Sequence, residues 1–182
     1  MILYHGSKNR DIDKFDLLFG RSDVDFGRGI YFTSNKSQAM EWSCRGPGNV
    51  YGAVYECDVD LSQFIGVEYS SEDQDLYYLL YLCRLGLEDI TPDVIDGIEK
   101  FDFIQGVMLD GKVNDFNKIA EKFGEGELSL AEFIEKTELW KDKNQVCIKS
   151  ERALRNVNAN IRAVHFTHKI KGSVVVEAIQ MK

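Results

Sequence analysis

The stretch Asp25-Phe26-Gly27-Arg28-Gly29-Ile30-Tyr31-Phe32-Thr33 carries the chain out of a loop rich in Gly, Asp and Arg (residues 20–29) and into a short β-prone run, Ile30 to Thr33. Two glycines stand just ahead of an aromatic. Glycine lets a backbone come close to a ligand, and the flat face of Tyr31 suits stacking on a planar ring. Ser34-Asn35 then offers a helix start, and residues 36–44 fit one amphipathic helix that carries Ser37 and Trp42. Upstream, Ile2 to His5 reads as a short strand closed by Gly6 and Ser7.

Working outward, Val50 to Val59 is a strand, and residues 62–70 are mixed. Residues 74–87 form a helix, because Leu76, Leu79, Leu80, Cys83 and Leu87 fall on one stripe. Thr91-Pro92 opens a second helix over 92–100. Phe103 to Leu109 reads as a buried strand ending at Asp110-Gly111. Helices follow over 114–123 and 129–140, the latter opened by a capping box of Ser129 and Glu132. Asn144 to Lys149 is a strand, Ser150-Glu151 caps a short turn of helix, and Ile161 to Ile170 and Val174 to Ile179 are late strands. Strands at both ends around a helical middle make an α+β chain whose sheet is closed by elements far apart in sequence. The middle, about 70–140, reads as a helical insertion into a sheet scaffold. The length of 182 residues suits a single domain, 1–182.

An apolar fraction of 44% is ordinary for a folded chain, and a formal charge of −8 argues against a broad positive field for duplex nucleic acid. Arg21, Arg28 and Lys36 could still line a groove for a strand or a dinucleotide phosphate. Cys44, Cys57, Cys83 and Cys147 are scattered, with no C-x-x-C pair, as in a reducing compartment. No leader and no membrane span is read, so the expected location is cytoplasmic and no membrane is expected as a partner. His165-x-x-His168 on a strand points its rings to opposite faces, and no metal is expected.

Three segments carry chemistry: Tyr4-His5-Gly6-Ser7; the stretch from Asp25 to Thr33 running on to Trp42; and Asn144-Gln145-Val146-Cys147-Ile148-Lys149-Ser150-Glu151. Together they resemble the ADP-ribosyltransferase superfamily on its diphtheria-toxin-like and poly(ADP-ribose) polymerase side. More narrowly they resemble the bacterial DUF3990 family, which shares these stretches and a central I-x-G-x-x-x-D, here Ile104 to Asp110. The resemblance spans nearly the whole chain. It implies a split β-sandwich of two small sheets flanking an NAD cleft. NAD would be consumed as a substrate, with nicotinamide released and ADP-ribose passed to a macromolecular acceptor, protein or nucleic acid. It also implies that His5 and Tyr31 grip the nicotinamide end.

Breaking the nicotinamide–ribose bond needs the nicotinamide held and the developing ribose cation stabilised. His5 suits a ribose hydroxyl, to which it would donate. Gly6 would leave its backbone bare for the carboxamide, and Ser7, Gly29 and Arg28 are expected to bind NAD as well. Trp42, eleven residues after Tyr31, either closes the other face of the ring or belongs to the core; Ser37 either bonds the carboxamide or caps its helix. The superfamily's third residue is a glutamate. Here the matching position is Gln145, which can hydrogen-bond a ribose hydroxyl but brings no charge. Asp110 is the preferred alternative carboxylate, although it also suits a turn before Gly111; Glu151 reads as a first-turn helix charge. One-unit transfer or slow hydrolysis therefore fits better than chain elongation. The expected function is a mono-ADP-ribosyltransferase, such as the toxin of a toxin–antitoxin or phage-defence system held by a small antitoxin-like partner. The alternatives are a catalytically weak NAD or ADP-ribose-binding module and an NAD glycohydrolase.

Overall fold

The computed structural model describes residues 1–20, 24–48, 50–87, 100–109 and 113–182. The helix expected over 92–100 lies almost wholly outside the described residues, as do Arg21 and Asp110. The fold is mixed α+β, with two four-stranded sheets. The first runs β1 (Ile2–Ser7), β3 (Tyr51–Asp58), β7 (Ile161–Ile170), β8 (Ser173–Met181), every neighbour antiparallel. The second runs β2 (Ile30–Phe32), β6 (Leu139–Ile148), β5 (Phe103–Leu109), β4 (Gly66–Tyr69). Its pairs are antiparallel except β4 with β5, which are parallel and so need a crossover; helix α2 (Gln74–Leu85) lies in that connection. The remaining helices are α1 (Lys36–Ser43), α3 (Val113–Gly124), α4 (Leu130–Lys136) and α5 (Glu151–Ala159).

The second sheet is buried on both faces. Phe32, Val146 and Ile148 point to the first sheet and meet Leu3, Tyr55, Cys57 and Val164, while Leu154 and Val157 of α5 join the same cluster. Ile104 and Cys147 point the other way, under Leu76, Leu79, Leu80 and Cys83 of α2 and under Phe116 and Phe133 of α3 and α4. The helical stripe read in 74–87 is thus the cover of the second sheet. The four thiols are free and buried; burial pushes Cys57 up to about 12 and Cys147 to about 11. No helix among the described residues is long and apolar enough to cross a membrane.

Four expectations change. The first strand does not stop at His5 but runs through Gly6, in register with Val54. A Cβ on Gly6 would overlap the carbonyl oxygen of Ala39, and one on Gly52 that of Ser43, so both glycines let α1 lie flat on the first sheet. The helix expected over 129–140 opens with its capping box but ends at Lys136; Thr137 caps it, its hydroxyl donating to the Phe133 carbonyl at 2.8 Å. Leu139 and Trp140 then belong to β6, opposite Leu109 and Met108. The turn expected after Ser150 is a nine-residue helix. Finally, the middle of the chain is not a set-aside helical block, because β5 within it is an interior strand of the second sheet.

Asp102, 3% exposed, fastens the corner between β5, β6 and α5. Its carboxylate accepts from the Ile65 backbone N–H at 2.8 Å, from Ser150 Oγ and from the Arg152 guanidinium, which holds its pKa down to about 2. A group depressed in this way adds stability above its unfolded pKa and loses it as pH falls through the folded value. Linkage sets a ceiling of roughly 2.5 kcal/mol, which solvent screening of the half-exposed Arg152 cuts to about 1 kcal/mol. Asp102→Asn should therefore cost stability at neutral pH and flatten the loss between about pH 4 and pH 2. Urea midpoints across that range check it; parallel curves for variant and parent would exclude the role.

Candidate active site

The three motif segments land on β1, β2 and β6. β2 pairs with β6, Tyr31 opposite Cys147 and Phe32 opposite Val146. β1 belongs to the other sheet but touches the end of β2 through a bridge, Tyr4 N–H to Thr33 O at 2.8 Å and Thr33 N–H to Tyr4 O at 2.9 Å. One step further on, Nδ1 of His5 lies 2.7 Å from the carbonyl oxygen of Tyr31. A carbonyl can only accept, so Nδ1 carries the hydrogen. Burial lowers the His5 pKa, with the Tyr31 carbonyl pulling the other way, and the ring is neutral at pH 7. Its Nε2 is then an acceptor, which reverses the donor role expected for it. The ring lies among Phe15, Phe32 and Tyr55, centroids 5.0, 5.5 and 6.3 Å away.

The side chain of Tyr31 takes the other face of β2. Its ring stacks on Phe26 at 6.4 Å and 23°, and its hydroxyl donates to the Gly27 carbonyl at 2.7 Å and accepts from the Phe26 N–H at 2.9 Å. Burial, then the nearby Cys147 and Asp25, push this phenol well above its ordinary range. Tyr31 is a ring wall and a clasp for the turn, not an acid–base group at neutral pH. The structure thus brings His5 to the backbone of Tyr31 and not to its ring. The glycines before Tyr31 serve the turn itself. Gly27 has φ 68°, and a Cβ on Gly29 would overlap Cys147 Sγ.

Gln145 is 3% exposed. Its amide N–H groups go to Asp25 Oδ2 at 2.6 Å and the Val107 carbonyl at 3.3 Å. Asp25, 2% exposed, also accepts from the Leu109 backbone N–H at 3.0 Å and, on its other oxygen, from Arg84 Nε at 2.8 Å, with the same guanidinium paired to it through Nη2. Residues 1–158 match a family described as a protein of unknown function (DUF3990). The chain belongs to that family. No curated protein and no solved structure matches the chain.

The DUF3990 match runs from β1 to α5 and so takes in all three motif strands. Around them the other expected site residues fall out as follows. Asn35, not Ser37, caps α1, its side chain accepting from the Gln38 N–H; Ser37 is exposed. Trp42 is half-buried. Arg28 is exposed, and Lys149 Nζ donates to its carbonyl at 3.1 Å and to that of Phe26 at 2.6 Å. Ser7 Oγ accepts from the Asn9 N–H. Glu151 sits exposed in the first turn of α5, where its charge suits the helix end. Asp110 lies outside the described residues. His165 and His168 do take opposite faces, the first bonded to Glu56 at 2.9 Å and the second stacked on Tyr51 at 4.0 Å. No metal-ligand cluster is found among the described residues. A cleft of about 450 Å³ lies elsewhere, between Met1, Asp60, Gly66 and Gln105, and none of the expected site residues lines it.

Asp25, Arg84 and Asn144 were not singled out as chemistry by the sequence. Asn144 binds the end of β2, accepting from Thr33 Oγ1 and the Ser34 N–H, both at 3.0 Å. Asp25 and Asn144 fall inside the motif segments, while Arg84 lies outside them. Removing Asp25 would take the carboxylate away from the Arg84 guanidinium and from two N–H donors in the interior. Asp25→Ala should cost about 3–5 kcal/mol, the range for breaking a buried ion pair on one side. A urea midpoint close to that of the parent would show that these donors reach water instead.

Proposed function

We propose that this DUF3990 protein is an NAD-consuming mono-ADP-ribosyltransferase whose two sheets form the superfamily's split β-sandwich. The hydrogen bond from His5 Nδ1 to the Tyr31 carbonyl carries this reading. It joins the two motif strands next to the Tyr4–Thr33 bridge between the sheets, with the third motif strand, β6, paired to β2 beside it. A neutral imidazole held by Nδ1 offers Nε2 as a fixed acceptor for a ribose hydroxyl, and Tyr31 and Trp42 supply aromatic faces for nicotinamide.

In the reaction the C1′–N bond of the nicotinamide riboside breaks, and its electron pair leaves with neutral nicotinamide. A nucleophile of the acceptor attacks C1′ of the resulting cation-like ribose and gives up its proton. His5 and Gln145 orient the ribose; exposed Arg28 is placed for the pyrophosphate. The acceptor is a macromolecule, protein or nucleic acid, and a toxin role with a small inhibitory partner belongs to the same proposal. A second reading, a weak NAD-binding module or glycohydrolase, is favoured by one observation: the third motif residue is an uncharged amide already bonded to the protein.

NAD should raise the melting temperature of the parent by mass action, and His5→Ala should lose that shift. Nicotinamide release on incubation with NAD, together with a mass gain of one ADP-ribose unit on a lysate component, separates transferase from binder and glycohydrolase. A parent protein whose melting NAD does not move would sink the proposal. Trp42→Ala should weaken nicotinamide binding more than adenosine binding, at a stability cost well under the ~3 kcal/mol of a large core deletion. Equal losses for both ligands would remove Trp42 from the site.

A further inference from the structure

Gln145 resembles the position of a charged residue yet is neutral, and its surroundings explain why. Its amide nitrogen faces two groups that can only accept, the Asp25 carboxylate and the Val107 carbonyl. This fixes which way the amide is turned: both N–H groups are directed inward, and Oε1 takes no hydrogen bond among the described residues, nor is it one of the sealed, unpartnered atoms. Asp25 is in turn held by the Leu109 N–H and Arg84, so its position does not depend on Gln145. Opposite Gln145 on β5 stands Gly106, where a Cβ would lie 3.1 Å from Phe26 Cζ. The Asp25-Phe26-Gly27 turn therefore fills the space beside the amide and keeps it in place.

We propose that Asp25 is the positioning residue for Gln145, holding its amide so that Oε1 is presented as a neutral, fixed acceptor for a ribose hydroxyl. This rests on the NAD reading above. The hydrogen bond to an anion draws electron density through the amide and makes Oε1 a stronger acceptor than an ordinary glutamine oxygen. The negative charge stays on Asp25, balanced by Arg84, one hydrogen bond back from the ligand. The arrangement also excludes glutamate as an ionised residue at 145, because two buried carboxylates at this separation share one proton.

The groups facing the pair are Arg84 from α2, Tyr31 from β2 and Cys147 from β6, with Lys149 next to Cys147. In Gln145→Glu the new carboxyl must keep its proton to bridge to Asp25, and in that form its carbonyl oxygen replaces Oε1. Its folded pKa is raised, so the bridge is intact at low pH and is lost as pH rises.

The test measures NAD affinity from about pH 5 to pH 8, with circular dichroism reporting folding at each pH. The parent should be flat over this range. Gln145→Glu should match the parent within a few-fold at the acid end and lose about tenfold or more at the alkaline end. Gln145→Met, similar in volume but without Oε1, should be folded and bind about tenfold or more weaker at every pH. Asp25→Asn with Gln145→Glu restores one carboxylate and one amide, and should bind NAD without the pH dependence, which also serves if Gln145→Glu alone does not fold. A folded Gln145→Met with parental affinity, a pH-independent Gln145→Glu, or a folded double variant that does not bind would each overturn the role of Asp25 while leaving the NAD reading standing. Absence of NAD binding by the parent would overturn both.

Discussion

A buried carboxylate with four donors on it holds this molecule together. Asp25 gathers α2 through Arg84, β5 through the Leu109 N–H and β6 through Gln145. The turn that follows it ties β2, through the Tyr31 hydroxyl on Phe26 and Gly27, and the residue just after β6, through Lys149 on the Phe26 carbonyl. A carboxylate in such a place needs partners, and three elements supply them. The turn from Asp25 to Gly29 is therefore less a connection than a plug for the helix-covered face of the second sheet. The position of Tyr31 follows from that plug.

The other face of the same sheet packs on the first sheet through Phe32, Val146 and Ile148. β2 is only three residues long, and its end is also joined to the first sheet by two backbone hydrogen bonds and the His5 imidazole. Phe15, Phe32 and Tyr55 stand around that ring, and its desolvation favours the neutral imidazole. Packing and chemistry coincide here, because the aromatic residues that join the sheets also set the protonation state of the histidine.

Much of this was legible in the residues, but unevenly. The stripe of α2, the capping box of α4 and the apolar runs of β3 and β5 are local patterns with local causes, and they fold as read. The order of the strands in space was not read from the residues. What stayed hidden was set by partners distant in sequence. Gly6 resembles a strand end, yet it is a strand interior because α1 lies on it. Leu139 and Trp140 continue the helical spacing of 129–136, yet they pair with β5 because Thr137 stops the helix. The partnership of Asp25 with Arg84, 59 residues apart, leaves no periodicity to detect. Gln145 was readable as a hydrogen-bonding amide, but its partner Asp25 lies 120 residues away in the chain.

The four thiols are distributed so that each half of the interior contains its own reporter. Cys57 lies in the layer between the sheets, while Cys83 and Cys147 lie under the helices. Burial makes Cys57 and Cys147 poor nucleophiles in place, with values near 12 and 11, so an alkylating reagent reaches either as a thiolate only after the surrounding layer has opened. The order in which they are labelled therefore records which layer breathes first. Because β6 contributes to both layers, it also records whether the two can open separately.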